Sequence, residues 1–261
     1  MSLKNQNAVV FGGSNGIGLA ICESLLKEGV QKLYILDVQE LAESNRLLLE
    51  AGNGDATVLF KHCDIANREL LLEILKDDVV QTLGTIDILV NSAGIATVGL
   101  PDKTINVNLI GLINSSLFCL DQMSRAKGGK GGVIINVASV AGLEPIPFIP
   151  IYSASKHGVI GFTRSLGVPQ VYDRTGVKFI AICPGATKTK LFESQRSRQV
   201  LIEIDFLQEI FDDYVHRFKA QSPDVVGQCV IQAIAEGENG SAWICNEGVI
   251  APHVFSESQF L

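Results

Sequence analysis

Three residues in the middle of the chain have the types and the spacing that proton transfer requires. Tyr152 follows Ser139 by 13 positions, and Lys156 follows Tyr152 by four. If Tyr152 lies near the start of a helix, Lys156 lies one turn further along on the same helix face. The segment between the serine and the tyrosine contains prolines, so it cannot be helical throughout. The serine can therefore be turned back toward the helix that carries the other two residues.

This arrangement is suited to acid–base chemistry. A tyrosine has an ordinary pKa of about 10 and is a weak base near neutral pH. A neighbouring ammonium such as that of Lys156 favours the phenolate and lowers this pKa. Ser139 could hold a substrate oxygen while Tyr152 exchanges its proton, as hydride transfer to a nicotinamide requires. A Tyr-x-x-x-Lys pair also occurs on ordinary helices as a partly exposed ring and a solvated lysine, so the assignment depends on the rest of the chain.

The elements that must position these residues follow a regular alternation. Short apolar runs alternate with longer helical patterns, which predicts an α/β, doubly wound Rossmann fold with a seven-stranded parallel sheet and helices on both faces. The predicted strands are 8–11, 32–37, 57–61, 86–91, 133–137, 178–183 and 242–245. The predicted helices are 17–27, 41–50, 68–83, 104–125, 152–171 and 223–236. Because no repeat or linker interrupts the pattern, we expect a single domain over residues 1–261.

A glycine-rich turn follows the first predicted strand, in VVFGGSNGIGLAI. Gly12, Gly16 and Gly18 allow a tight turn and a close approach of the backbone to a pyrophosphate, and the next helix begins with free N–H groups. The pattern follows a strand, opens a helix and belongs to a βαβ unit. It therefore favours a dinucleotide site over an ordinary strand–helix turn.

Asp37 ends the second predicted strand, 19 positions after Gly18. An acid at this place can accept hydrogen bonds from the adenosine ribose and repels a 2′-phosphate. Residues 13–15 and 38–39 include no lysine or arginine. Both features predict NAD rather than NADP, although a solvated loop aspartate is the alternative.

Three more polar residues have both a functional and a structural interpretation. Asp64 follows the third predicted strand and could meet adenine or cap the next helix. Asn91, in the sequence NSAG after the fourth strand, could lie near the cofactor or tie neighbouring strands together. Asn108 lies in an otherwise apolar helical pattern, where a buried amide must be paired. A core role and a functional role both fit Asn108.

Composition argues against several classes of function. The chain has 261 residues, of which 47% are hydrophobic, enough for a large buried core. A net charge of −7 argues against nucleic-acid binding. The six cysteines form no C-x-x-C pair, so we expect reduced core thiols and neither disulfides nor a metal site. With no secretory signal and no apolar run of membrane-spanning length, we expect a cytoplasmic protein without an integral membrane segment.

Together these segments resemble the short-chain dehydrogenase/reductases over nearly the whole chain. The motifs that carry the resemblance are GGSNGIG, Asp37, CDIA, DILVNSAG, the Ser139, Tyr152 and Lys156 set, and ICPGATKT, in this order. The segments GGKGGVIINVASVAGL, YSASKHGVIGFTRS and GVKFIAICPGA are most similar to the branch of 15-hydroxyprostaglandin dehydrogenases and insect-type alcohol dehydrogenases. A retinol-type dehydrogenase is one candidate within that branch.

The resemblance implies a role for each matching position. Tyr152 would be the catalytic acid/base, Ser139 would orient the carbinol oxygen, and Lys156 would bind the nicotinamide ribose and lower the tyrosine pKa. Asn108 would anchor a water in a proton relay through Lys156, and Thr189 would touch the nicotinamide carboxamide. The cofactor-binding residues that the resemblance implies are Gly12, Ser14, Asn15, Gly16, Ile17, Gly18, Asp37, Val38, Asp64, Ile65, Asn91, Ala93, Gly94, Tyr152, Lys156, Pro184, Gly185, Thr187 and Thr189. The resemblance also implies a homodimer or homotetramer.

Three positions depart from the family pattern. Phe11 stands where a threonine usually precedes the first glycine, and N-S-A-G replaces N-N-A-G, but neither change removes a catalytic group. In the prostaglandin enzymes a glutamine three residues before the tyrosine contacts substrate, and here that position is Ile149. The substitution favours a more apolar alcohol than a prostaglandin.

We assign Ser139, Ile149, Leu191 and Phe192 to the substrate pocket. The segment at about 190–220 is rich in apolar residues and could be a lid over this pocket or a helical subdomain packed on its own core. An apolar pocket next to a dinucleotide predicts a lipid, retinoid or terpenoid alcohol as substrate.

The leading hypothesis is therefore a NAD-dependent oxidoreductase that interconverts an apolar primary or secondary alcohol and its aldehyde or ketone. The alternatives are 15-hydroxyprostaglandin dehydrogenase activity, an NADPH-dependent carbonyl reductase of the same fold, and a non-catalytic NAD-binding protein. The retention of Ser139, Tyr152, Lys156 and Asn108 argues against the last of these.

Overall fold

The computed structural model describes residues 3–51, 56–97, 100–196, 210–211 and 219–256. Its centre is one eight-stranded sheet with the strand order β3-β2-β1-β4-β5-β6-β7-β8. The strands are β1 (Asn7–Phe11), β2 (Lys32–Asp37), β3 (Thr57–His62), β4 (Ile88–Asn91), β5 (Gly132–Val137), β6 (Val177–Pro184), β7 (Ala242–Asn246) and β8 (Val249–His253).

The first seven strands are parallel, which confirms the predicted doubly wound sheet. The prediction of seven strands is wrong by one, because β8 pairs antiparallel with β7 at the sheet edge. This strand is partly exposed and contains Pro252. Proline is tolerated in an edge strand, and its presence in this five-residue segment argued against a strand within the sheet.

Helices cover both faces of the sheet. Ala8 and Val10 of β1 enter a core with the helices that follow β1 and precede β7, whereas Val9 and Phe11 enter a second core on the opposite face. This is the alternation expected of a strand buried on both sides. The helices are α1 (Gly16–Lys27), α2 (Glu43–Ala51), α3 (Arg68–Ile74), α4 (Val80–Leu83), α5 (Pro101–Ile105), α6 (Leu112–Met123), α7 (Pro150–Leu166), α8 (Pro169–Thr175), α9 (Lys190–Arg196) and α10 (Pro223–Glu236).

Several predicted helices are interrupted. The predicted helix 104–125 consists of α5, a π-helical turn at Asn106–Gly111, and α6. A second π-helical turn, Leu75–Val79, separates α3 from α4. The predicted helix 152–171 ends at Leu166, and Pro169 starts the separate helix α8 because proline cannot continue a helix from within. Single π-helical turns inside helices frequently occur at functional sites.

The sheet topology creates a crevice for a ligand. From β1 the chain proceeds to β2 and β3 on one side, and then crosses to β4 on the other side. Ligands of open α/β sheets bind at such a reversal, beyond the carboxyl ends of the strands. The glycine-rich turn, Asp37, Ser139 and Pro184 all stand at that edge.

Two further observations concern the cysteines and the length of the helices. All six cysteines are buried free thiols. None of the helices within the described residues combines the length and the apolar character needed to cross a bilayer.

Candidate active site

One cavity of about 600 Å³ runs along the carboxyl edge of the sheet. Every predicted site residue lines it except Ser14, Asn91 and Asn108, which lie behind the lining. The fold therefore gathers residues from the ends of six strands around one continuous space.

The serine, tyrosine and lysine meet at this cavity as their spacing predicts. Ser139 is the N-cap of a short 3₁₀ turn after β5, and its Oγ accepts a hydrogen bond from the Ala141 N–H at 3.1 Å. Tyr152 lies in the first turn of α7 and lines the same cavity as Ser139. Lys156 lies one turn later, with its Nζ 5.6 Å from the centre of the Tyr152 ring. Its Nζ donates a hydrogen bond to the Val137 carbonyl at 2.8 Å.

Burial shifts the pKa values of both ionisable groups away from their charged forms. It raises the pKa of Tyr152 to about 12, and the nearby Ser139 hydroxyl opposes that rise. It lowers the pKa of Lys156 to about 8, and the nearby Cys183 thiol opposes that fall. The lowering of the tyrosine pKa that Lys156 and a bound nicotinamide would cause stays a prediction. The cost of burying a phenolate outweighs the favourable effects of its neighbours.

These shifts lead to an expected pH dependence. The pair should release its first proton near pH 8, because the pKa of Lys156 is about 8 and that of Tyr152 about 12. We expect kcat/KM for alcohol oxidation to rise with pH through this range, and kcat/KM for carbonyl reduction to fall, since oxidation needs a proton acceptor and reduction a donor. Lys156→Arg keeps its charge, so its oxidation profile should rise only at higher pH. A Lys156→Arg profile that matches the wild type would contradict this assignment.

Asn108 is fully buried in the π-helical turn, and its amide is paired. Its Oδ1 accepts from the Ile95 N–H and its Nδ2 donates to the Ile95 carbonyl, each at 2.8 Å. Nδ2 also donates to Ser155 Oγ at 3.1 Å. The side chain thus fixes the backbone just after Gly94, beside the Lys156 ammonium. These contacts fit the structural interpretation of Asn108 as a paired amide in the core. Its role in anchoring a water for a proton relay stays a prediction.

The turn between β1 and α1 leaves no room for a side chain at Gly12 or Gly18. Gly12 has a φ of +76°, in the region that favours glycine. A Cβ on Gly18 would overlap the Gly12 carbonyl oxygen. Asn15 precedes α1 but makes no side-chain capping hydrogen bond within the described residues, so the first N–H groups of this 12-residue helix stay available to an anion.

Asp37 is held in place rather than solvated. It is 9% exposed, and its two carboxylate oxygens accept hydrogen bonds from the Ser14 N–H at 3.0 Å and the Gln39 N–H at 2.9 Å. Asn15 Nδ2 donates to Gln39 Oε1 at 3.0 Å and joins the same two loops. The alternative of a solvated loop aspartate is therefore wrong.

The structure separates the alternatives for Asp64 and Asn91. Asp64 accepts a hydrogen bond from the Ala66 N–H at 2.9 Å and lines the cavity, while Asn67 caps α3. Asn91 is buried and donates to Asn136 Oδ1 and to a serine hydroxyl of α6, each at 2.9 Å. This side chain ties β4 to β5 and α6, which fits the structural interpretation, and a position of Asn91 near the cofactor stays a prediction.

The sequence pattern missed several lining residues. Ile146 and Phe148 line the cavity beside the predicted Ile149, and their position in the same proline-rich loop was the available signal. Gln39 and Lys103 also line it, but nothing in their local sequence distinguishes them from ordinary surface residues.

The cavity also has a group of large apolar lining residues. Leu191 and Phe192 of α9 line it together with the proline-rich loop. Phe148 packs edge-on against Phe211, with ring centres 5.2 Å apart and ring planes at 84°. Most of the predicted lid at about 190–220 lies outside the described residues.

Comparison with known proteins identifies the family. The family model described as short chain dehydrogenase matches residues 6–200. The chain belongs to the short-chain dehydrogenase family. Its members include an alcohol dehydrogenase 1 from Ceratitis capitata, which is 39% identical over 263 residues and covers 100% of both chains. As a member of this family the protein is an oxidoreductase that uses a nicotinamide cofactor.

Two more relatives agree with this assignment. The 15-hydroxyprostaglandin dehydrogenase [NAD(+)] of Homo sapiens is 33% identical over 236 residues, which cover 90% of this chain and 88% of that one. A crystal structure of an actinorhodin polyketide ketoreductase with NADPH superposes with a TM-score of 0.78 at 27% identity, and covers 95% of this chain and 98% of that one. These matches confirm the predicted family and branch.

The residues present fit a dinucleotide. Ser92 lines the cavity and its hydroxyl is buried without a hydrogen-bond partner in the described part of the chain, and an unpaired buried hydroxyl is costly unless a ligand pairs it. The uncapped start of α1 suits a pyrophosphate, and the fixed Asp37 carboxylate suits a ribose diol.

Proposed function

We propose that this enzyme uses NAD to interconvert an apolar primary or secondary alcohol and its aldehyde or ketone. The observation that carries the proposal is the position of the Tyr152 phenol. It lies with Ser139 and Lys156 in one cavity that is also lined by large apolar side chains and by residues suited to a dinucleotide. The same geometry serves oxidation and reduction, and the ratio of the two cofactor forms sets the net direction.

Asp37 supports NAD over NADP. Its carboxylate is fixed by two backbone N–H groups at the cavity wall, where a 2′-phosphate would meet a like charge. Val38 and Gln39, which follow it along the wall, offer no cation to a phosphate. The name of the Homo sapiens relative, which specifies NAD(+), points the same way.

The catalytic roles follow from the side chains at the cavity. Bound NAD supplies the hydride acceptor. Ser139 holds the carbinol oxygen, and Tyr152 takes the hydroxyl proton as the carbon loses its hydride. Lys156 lies one turn behind the phenol and binds the nicotinamide ribose. Because its pKa is about 8, the neutral amine that forms above this pH can accept a proton passed on from Tyr152.

The substrate end supports an apolar alcohol. Ile149 stands three residues before Tyr152 and lines the cavity with Phe148 and Phe192. The curated relative with 39% identity is named an alcohol dehydrogenase. A prostaglandin carries a carboxylate and several oxygens, and this wall offers them little pairing, so 15-hydroxyprostaglandin dehydrogenase activity is the less favoured alternative.

A test of the substrate assignment is Ile149→Gln. The added amide would be partly unpaired against an apolar alcohol, so we expect kcat/KM for such substrates to fall about tenfold. Hydroxylated substrates that can pair with the amide should lose less or gain. The check is kcat/KM for a matched pair of alcohols, one with and one without a second hydroxyl. Equal losses for both alcohols would show that Ile149 does not select for polarity.

The proposed function is tested by NADH formation across a panel of retinoid, terpenoid, prostaglandin and short secondary alcohols, with NAD and NADP in parallel. We expect turnover of at least one apolar alcohol, with higher kcat/KM for NAD. A preference for NADPH with carbonyl substrates would support the carbonyl reductase instead. Binding of NAD without turnover on any alcohol would support the non-catalytic protein.

We also propose a homodimer or homotetramer. Ile110 and Leu117 are large apolar side chains exposed on the π-helical turn and α6, seven positions apart on one helix face. Burying them against a second copy would remove this apolar surface from water. Light scattering of the purified protein measures the assembly, and a monomer at all concentrations would contradict it.

A further inference from the structure

The loop after β6 is held by a neighbouring hairpin that the sequence pattern did not predict. Gly185 and Thr187 of this loop line the cavity. A Cβ on Gly185 would overlap Asn246 Oδ1 at the end of β7. The β7–β8 hairpin therefore packs directly against the part of the loop that faces the cavity.

Gln221 lies between the loop and the hairpin and is 7% exposed. Its Nε2 donates to the Cys245 carbonyl at 2.7 Å and to Thr187 Oγ1 at 3.4 Å, and its Oε1 accepts from the Gly248 N–H at 3.1 Å. The side-chain amide thus bonds to the hairpin on one side and to the loop on the other.

The backbone of Gln221 adds two more links to the loop. Its N–H donates to the Ala186 carbonyl, and its carbonyl accepts from the Lys188 N–H, each at 2.9 Å. Thr187 in turn holds the backbone of Gly185 in place, because its Oγ1 donates to the Gly185 carbonyl at 2.9 Å. The backbone links would survive a side-chain substitution, so such a substitution isolates the contribution of the amide.

The hairpin turn has a backbone conformation that needs support. Glu247 has a φ of +51° and Gly248 a φ of +84°, the signs of a two-residue type I′ turn. A glutamate is uncommon at positive φ, and such residues persist where the surroundings hold them. The bond from the Gly248 N–H to Gln221 Oε1 provides that support.

We propose that Gln221 is a positioning residue that pre-organises the loop Pro184–Thr189 against the nicotinamide half of the cofactor. The inference rests on the proposed function and on the family resemblance, which implies that Thr189 of this loop touches the nicotinamide carboxamide. With the amide in place, the Thr187 hydroxyl and the Gly185 carbonyl already hold fixed positions before the cofactor binds. Without the Gln221 amide, the loop must become ordered when NAD binds, and the free-energy cost of this ordering weakens the affinity for NAD.

The test compares NAD with ADP-ribose, which has the same adenosine and pyrophosphate but no nicotinamide. For Gln221→Ala we expect the Kd of NAD to rise about tenfold. This factor corresponds to the loss of the one side-chain hydrogen bond that reaches the loop, the bond to Thr187. The Kd of ADP-ribose should stay within about twofold, because its binding does not use the loop. Gln232→Ala is the matched control, since it removes a side-chain amide whose hydrogen bond within the described residues is to Glu236 on the surface of α10.

Each outcome bears on the inference. An equal rise in the Kd values of NAD and ADP-ribose would show a general loosening of the fold. An unchanged Kd of NAD would show that the loop does not need the amide. Either result overturns the proposal. If the alanine variant does not fold, Gln221→Met keeps the side-chain length and removes the hydrogen bonds, with the same expected split. If the wild type neither binds NAD nor oxidises an alcohol, the proposed function itself fails. If it does both and the Gln221 variants match it, only this inference fails.

Discussion

Tyr152→Phe is expected to lower kcat for alcohol oxidation by about 10²- to 10⁴-fold, the range that general acid–base catalysis contributes. The variant keeps the ring that packs at the cavity and removes only the oxygen that exchanges the proton. The Kd for NAD should therefore change by no more than about twofold, because the remaining ring and Lys156 still line the cofactor end. Stopped-flow or steady-state NADH formation and a separate NAD titration measure the two effects.

Tyr172→Phe is the matched control for this experiment. Tyr172 lies on α8, outside the cavity lining of the described residues, so removing its hydroxyl should leave kcat unchanged. If Tyr152→Phe retained a tenth or more of the wild-type kcat, the phenol would not be the acid/base. If it lost NAD binding as well, the loss of turnover would reflect a damaged site rather than a missing proton carrier.

Replacing Asp37 with serine is expected to change the cofactor preference more than any other single substitution. The serine loses the charged acceptor for the ribose hydroxyls, so kcat/KM with NAD should fall by about 10- to 100-fold. It also removes the charge that opposes a 2′-phosphate, so kcat/KM with NADP should rise. The measurement is the ratio of kcat/KM for NAD and NADP, with the same alcohol throughout.

Two further variants show whether the charge of Asp37 is what excludes NADP. Asp37→Asn keeps the size and one acceptor oxygen for the Ser14 and Gln39 N–H groups, and it removes the charge. If the charge excludes NADP, this variant should already accept NADP. Asp64→Asn is the control, since that exposed carboxylate lies at the same cavity and should alter the ratio by less than about threefold. An unchanged ratio in both Asp37 variants would mean that Asp37 does not discriminate.

The features that the sequence predicted well are those that depend on short-range pattern. Parallel strands place their carboxyl ends at one edge, so a glycine turn after β1, an acid at the end of β2 and a serine after β5 had to converge once the alternation was recognised. The spacing of Tyr152 and Lys156 places both on one face of α7 for the same local reason.

The features that it missed depend on contacts between distant segments. Asn91 was ambiguous because its partners Ser116 and Asn136 lie 25 and 45 positions away, and only the folded sheet shows that its amide is already paired. Gln221 had no local signature, since its role comes from a loop and a turn on either side of it. The rise in the Tyr152 pKa that burial causes could not be predicted, because burial is a property of the assembled cavity.

The most direct test of the central claim follows the hydrogen itself. The purified enzyme is incubated with NAD and an apolar alcohol that carries deuterium on the carbinol carbon, and the reduced cofactor is analysed by mass spectrometry. Transfer of one deuterium to the nicotinamide by the wild type, and its near absence with Tyr152→Phe, is the expected result. NAD that binds but gains no deuterium from any alcohol in the panel would contradict the account.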